Sequence, residues 1–156
     1  MRTSVDVHNF LQDLDIPHEM SRIRTPARGA EQLAAQLGLL PEQVIKVIFF
    51  RAGEGLLAVL VPGDSRVDYQ KLRAAAGTDS VRLADSREVQ DLTGYLASSV
   101  PPVGWEKGVP CLIDMRALRE DVVYTSGGEP TAVLKIRSYD LVRAADAEIA
   151  DIIQAE

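Results

Sequence analysis

The spacing of apolar residues in this chain switches between the period of a helix and that of a strand. Near the start, Val7, Phe10, Leu11 and Leu14 recur every three or four positions. This predicts a helix capped by Thr3 or Ser4 and ended by Pro17. His18 and Met20 follow in a short extended piece. Ala30, Leu33, Ala34 and Leu37 restore the helical spacing, with Thr25 and Pro26 opening the helix and Gly38 stopping it. Residues 44–50 are β-branched and aromatic instead, and Gly53 and Gly55 separate them from the apolar run 56–61. The two runs predict a β-hairpin.

The second half continues the mixture. Residues 68–76 predict a short helix ending at Gly77, and 81–83 a small strand. Asp85 with Glu88 three places on has the spacing of a capping box for a helix that Gly94 ends. From 94 to 108 neither period is visible. Strands are predicted at 109–113, 122–126 and 132–136, and a C-terminal helix from Ser138 carrying Leu141, Val142, Ile149, Ile152 and Ile153. Helices and strands without strict alternation imply an α+β fold, a single domain over 1–156 with a mixed β-sheet flanked by helices.

Composition narrows the functional classes. The chain has 156 residues, 46% hydrophobic and 26% charged, long enough to bury about two thirds of its unfolded surface without staples. No apolar run approaches the roughly 18 residues of a membrane span, and the start lacks the basic and apolar regions of a signal peptide. The expectation is a cytoplasmic protein with no membrane partner. Cys111 is the one cysteine, which excludes an internal disulfide and a thiolate metal cluster within one chain. In its apolar strand it reads as a core thiol. His8 and His18 read as structural. A formal charge of -6 argues against a broad nucleic-acid surface but leaves room for a small basic pocket that takes one nucleotide end.

Three features could carry chemistry. Lys46 sits in QVIKVIFF, the most apolar run of the chain, where a strand would place it on the face of Val44, Ile48 and Phe50. It is either an edge-strand charge that snorkels to water or a cation aimed from a rigid mount into a cleft. The stretch GYLASSVPPVG places Gly94 and Gly104 at the ends of a loop stiffened by Pro101 and Pro102, with Tyr95, Ser98 and Ser99 between. No histidine base accompanies the serines in sequence, which disfavours a serine nucleophile. YTSGGEP puts Ser126, Gly127 and Gly128 at a strand end, either a plain turn or a nest of N–H groups for an anion. Asp114 ends another strand, where it caps the following turn or orients a cation.

These features, in this order, resemble the YbaK-type aminoacyl-tRNA deacylases and the homologous editing domain inserted in bacterial prolyl-tRNA synthetases. The resemblance covers 25–142 and rests on TPARGAEQLAAQLGLLPEQVIKVIFF, LLAVLVPGDSRVDYQKLRAAAG, VRLADSREVQDLTGYLASSVPPVGWEKGVPCLID and VVYTSGGEPTAVLKI. It implies the YbaK/prolyl-tRNA synthetase-associated domain fold and hydrolysis of the ester between a wrong amino acid and the terminal adenosine of tRNA, without metal or cofactor. The family lysine falls on Lys46, which would help hold the tRNA 3′ end. The pocket-shaping loop falls on 94–104, and the small-residue turn on Ser126, Gly127 and Gly128. Many members carry two glycines where this chain has Ser98 and Ser99, and one proline where it has Pro101 and Pro102, so the amino-acid preference does not transfer.

The expected activity is trans-editing of mischarged tRNA, first of all proline tRNA carrying a small wrong amino acid such as alanine or cysteine. The partners expected are the acceptor end of aminoacyl-tRNA and a cognate synthetase. An activated ester asks mainly for orientation and electrostatic stabilisation, which agrees with the lack of a triad. A noncatalytic module that binds a tRNA end or a synthetase, and a hydrolase of another ester or amide, are the alternatives.

Overall fold

The computed structural model describes residues 1–155. Among the described residues, eight strands form two sheets. In the first, β1 (His18–Arg22), β7 (Ala132–Arg137) and β6 (Val122–Ser126) lie antiparallel in the order β1-β7-β6. In the second, the order is β4 (Val81–Leu83), β2 (Ile45–Ala52), β3 (Gly55–Pro62), β5 (Cys111–Asp114) and β8 (Glu148–Ala150). The pairs β4/β2 and β2/β3 are antiparallel, and β3/β5 and β5/β8 are parallel. With five α-helices around them, these sheets give the expected α+β architecture with mixed pairing.

The hairpin forms because alternate residues of β2 serve different layers. Ile45 and Phe49 face the main core with Leu60, Ile113, Leu134 and Leu141, while Phe50 joins Val59, Val61, Leu72 and Leu112 on the other face. Lys46 pairs with Val61 and Ile48 with Val59, so both share the second face with Phe50. Val44 packs instead with Leu33, Ala34 and Val133 in a third cluster, beneath α2 (Ala30–Leu37).

The caps explain most helix boundaries. Thr3 caps α1 (Ser4–Asp13) in a capping box with Asp6. Asp68 caps α3 (Tyr69–Ala76) and Asp85 with Glu88 caps α4 (Ser86–Thr93), while Gly77 and Gly94 end those helices in the left-handed conformation.

Two expected boundaries are corrected. The second helix begins at Ala30 rather than at Thr25 and Pro26, because Gly29 sits at φ +90° and breaks the helical path. The predicted C-terminal helix stops at Ala145, as α5 (Ser138–Ala145), where Asp146 turns left-handed at φ 49°. Beyond it β8 pairs with β5, and the Ile152 N–H donates to Asp114 at 2.9 Å. Ile149, Ile152 and Ile153 fit a helical spacing, but burying Ile152 and Ile153 on the sheet also covers an edge that would otherwise stand open. The loop expected at 94–108 contains one 3-10 turn at Ala97–Ser99. The strand predicted at 109–113 runs Cys111–Asp114. Among the described residues, no helix is long and apolar enough to cross a membrane.

Candidate functional site

The two sheets meet at the start of β2. Only Phe50, Arg51 and Ala52 pair with β4, so the first half of β2 has no strand neighbour on that side. A single bridge from Val44 to Tyr124 and a hydrogen bond from Thr125 Oγ1 to the Ile45 carbonyl, 3.1 Å, join it to the other sheet. An unpaired stretch of strand beside a second sheet leaves a gap. Here it is a cavity of about 110 Å³.

Its walls come from four segments. β2 supplies Lys46 and Val47, the 3-10 turn supplies Ala97, Ser98 and Ser99, and the end of β6 supplies Thr125 and Ser126, with Glu129 beyond. The extended piece before α2 contributes Ile23 and Ala27, and the first residue of α2 contributes Ala30. Lys46, Ser98, Ser99 and Ser126 therefore converge from positions far apart in the chain.

Lys46 is half-buried, and its Nζ donates to the Ser65 carbonyl at 2.7 Å. Burial pulls its pKa below the usual lysine value; nearby Glu31 and Asp64 oppose this and Arg66 adds to it. An ammonium has three donors, and a neutral carbonyl takes one. Ser126 Oγ donates to the Ser99 carbonyl at 2.6 Å and accepts from the Gly128 N–H at 3.2 Å, pinning the turn against the end of β6.

The glycines do framework work. A Cβ on Gly127 would lie 2.9 Å from the Ala132 main chain and 2.7 Å from Met20 Sδ. A Cβ on Gly128, which sits at φ +99°, would lie 3.0 Å from Val7 and 3.1 Å from Tyr95. Just outside, Glu129 accepts from the Ser4 hydroxyl, from Arg22 and from the Ser4 N–H, and these bonds, the Ser4 hydroxyl's foremost, hold its carboxyl at about 2.

The remaining candidates line other surfaces or none. Gly94 caps α4, and its carbonyl accepts from the Arg2 N–H at 2.8 Å. Tyr95 is fully buried, donates to the Gly104 carbonyl at 2.9 Å, and is raised by that burial to about 12. The Pro101 carbonyl accepts from Trp105 Nε1 at 2.7 Å, while Pro102 and Gly104 line a separate groove with Phe10 and Trp105. These residues hold the loop that presents Ser98 and Ser99. Asp114 is buried at the far end of β5, where it caps the 3-10 turn Met115–Arg119 through the Arg116 N–H and binds the Arg116 guanidinium.

Sequence reading missed Ile23, Ala27, Ala30, Thr125 and Glu129. The signal for Ile23 and Ala27 was Gly29, which separates Pro26 from the helix and marks 23–29 as loop, with Ala30 as the first helical residue after it. Glu129 was inside the YTSGGEP stretch and was read only as turn chemistry. Among the described residues, no histidine lines the cavity. His8 Nδ1 lies 2.8 Å from His18 Nε2, whose Nδ1–H donates to the Ile16 carbonyl. Cys111 is buried and its thiol is pushed up to about 12. The arrangement offers a cation, hydroxyls and a small half-open cavity, but no histidine-activated nucleophile.

The model of the family described as "Aminoacyl-tRNA editing domain" matches residues 24–144. Over 101 residues the chain is 37% identical to a proline–tRNA ligase of Desulforamulus reducens, a match covering 64% of this chain and 18% of that protein. It is 22% identical over 129 residues to EbsC of Enterococcus faecalis, named as a candidate Cys-tRNA(Pro)/Cys-tRNA(Cys) deacylase, covering 82% and 79% of the two chains. A solved structure described as a candidate trans-editing enzyme for prolyl tRNA synthetase superposes with a TM-score of 0.90 at 26% identity, over 99% of both chains. Another, of a hypothetical protein, gives 0.89 at 30% identity, over 96% of this chain and 99% of that one.

Proposed function

The chain belongs to the aminoacyl-tRNA editing domain family, and from that premise we propose that it is a free-standing deacylase of mischarged aminoacyl-tRNA. Its substrate on this reading is a tRNA, most directly that for proline, carrying a small wrong amino acid such as alanine or cysteine. The observation that carries the reading is the convergence of Lys46, the Ala97–Ser99 turn and Ser126 on one cavity of about 110 Å³. An engineered cavity of roughly 150 Å³ holds a benzene ring, so this one suits a side chain of a few heavy atoms.

In the reaction, a water oxygen adds to the ester carbonyl carbon, the bond to the ribose oxygen breaks, and a proton passes to that oxygen. The ester is already activated, so holding it still beside water and stabilising charge can supply the rate without a covalent intermediate. Lys46 grips the terminal nucleotide, because its ammonium is desolvated and its hydrogen-bonded partner is a neutral carbonyl. The neighbouring ribose hydroxyl helps to place the water. Residues 1–156 act as one editing domain, and a chain of charge -6 leaves broad tRNA affinity to be supplied by a synthetase partner.

The test is a panel of alanyl-, cysteinyl-, seryl- and threonyl-tRNAs, proline tRNA first, with release of amino acid as the readout. Multiple-turnover release that Lys46→Ala abolishes is the expected result. No release from any of them at high protein concentration sinks the proposal. Tight tRNA binding without release would replace it with a noncatalytic module.

A further inference from the structure

The polar groups around the cavity are nearly all committed to partners inside the protein. Thr125 Oγ1 donates to the Ile45 carbonyl, Ser126 Oγ to the Ser99 carbonyl, Lys46 Nζ to the Ser65 carbonyl, and Glu129 binds Ser4 and Arg22. Ser99 itself is 5% exposed, and both of its main-chain groups are used: its N–H donates to the Leu96 carbonyl at 3.1 Å and its carbonyl takes Ser126. Its hydroxyl is the exception. Among the described residues, Ser99 Oγ is the buried side-chain oxygen or nitrogen with no hydrogen-bond partner.

A buried hydroxyl without a partner destabilises the fold, and alanine at the same place would avoid that cost. The group sits on a turn whose backbone is pinned, so the one freedom left to it is rotation about its own Cα–Cβ bond. Ser99 lines the cavity together with Ala97, Val100, Ala27 and Ala30, whose side chains offer it no hydrogen bond. A ligand atom that can hydrogen-bond would satisfy the hydroxyl, and a methyl group would leave it stranded.

We infer that Ser99 is a specificity-determining residue whose hydroxyl recognises the side chain of the amino acid to be removed, selecting a small side chain with a terminal hydroxyl, that of serine, over alanine. This rests on the deacylase reading and sharpens its substrate. Cysteine is nearly isosteric with serine, but its thiol is a weak donor and acceptor, so it falls between the two. A pocket built to hydrogen-bond a hydroxyl penalises the analogue without it, because the pocket's own polar group is then left unpaired.

The experiment compares kcat/KM for the full chain on proline tRNA charged with serine, cysteine and alanine, before and after Ser99→Ala, together with the melting temperatures. The expected order for the parent is serine, cysteine, alanine, with serine ahead of alanine by about tenfold or more. Ser99→Ala should bring that ratio close to one and should melt no lower than the parent, since it removes a hydroxyl that holds nothing. A ratio unchanged by the substitution overturns the inference, and so does an equal loss on all three substrates, which would place the hydroxyl on the common α-ammonium or ester. A parent that prefers alanine overturns it as well, while leaving the deacylase reading intact. A clear drop in melting temperature shows a structural partner for the hydroxyl and also overturns it. If the parent hydrolyses none of the three, the deacylase reading itself falls for these substrates, and the inference falls with it.

Discussion

Strand β2 carries two cations five residues apart, and they are handled in opposite ways. Arg51 lies where β2 is paired on both sides; its Nε donates to Glu88 at 3.0 Å and its Nη1 to the Glu54 carbonyl at 2.8 Å. Arg82 binds the same Glu88, whose carboxyl is held at about 2, chiefly by Arg51. Lys46 lies where β2 lacks that second neighbour, faces a cavity, and has a carbonyl rather than a carboxylate on its Nζ. A cation neutralised by a carboxylate is part of the framework. A half-buried cation with only a neutral acceptor is held at a cost to stability, and that cost is what makes it useful to an anionic or polar ligand.

The sharpest way to break this contrast is Lys46→Met. We expect deacylation to fall by about a hundredfold or more, the scale for loss of one preorganised electrostatic contact. The melting temperature should not fall, because methionine fills the stem's space without a desolvated charge. The pH dependence has a definite sign. Burial lowers the Lys46 pKa in the folded state, so the penalty of its charge is full below that pKa and is relieved as pH rises through it. Any stability gained by Lys46→Met should therefore shrink at alkaline pH, and parent activity should decline below the ordinary lysine range. A variant that loses stability in step with activity would make Lys46 a framework residue like Arg51.

How far the site was legible in sequence follows from the same contrast. Lys46 stood out because an ammonium in QVIKVIFF is costly under either reading. Periodicity also placed β2, β3, β6, β7 and most helix caps, since those are local signals. The cavity itself was not legible, because it exists only where β4 fails to cover β2 and β6 comes alongside, a fact of sheet order and not of spacing. Gly29 and Asp146 show the complementary failure. Each turns the chain left-handed against a helical apolar pattern, and the pattern alone hides it. The turn chemistry of YTSGGEP singles out the glycines but not Glu129, whose role depends on Ser4 and Arg22 more than a hundred residues away.

The turn that fixes the opposite wall offers the next test. Gly127→Ala places a Cβ against the Ala132 backbone, which cannot move without shifting β7, so overpacking should cost about 1–3 kcal/mol, or roughly 3–10 °C in melting temperature. Deacylation should fall with it, because Ser126 and the Ser99 carbonyl it binds are displaced. Gly108→Ala, where an added Cβ meets nothing within 4 Å, is the matched control and should leave melting unchanged. Equal melting for the two variants would show that the turn is slack and that the Ser126 tether does not set the cavity's shape.

The smallest effect expected is at the other end of β2. Arg51→Ala removes the main partner of Glu88 and should lower the melting temperature modestly, since the pair is partly solvated, while leaving deacylation within about twofold. The Glu88 carboxyl lies below its unfolded value, so its contribution is fully present above the ordinary glutamate range near 4.5 and is lost as pH falls towards about 2. In Arg51→Ala only Arg82 and the helix cap remain to hold that carboxyl down, so less stability remains to be lost on acidification. The difference between parent and variant should therefore be widest at neutral pH and close progressively between about 4.5 and 2. A gap that stays constant to low pH would mean that Arg51 acts through its Glu54 carbonyl bond and packing, and that the two cations of β2 differ in burial rather than in how their charge is met.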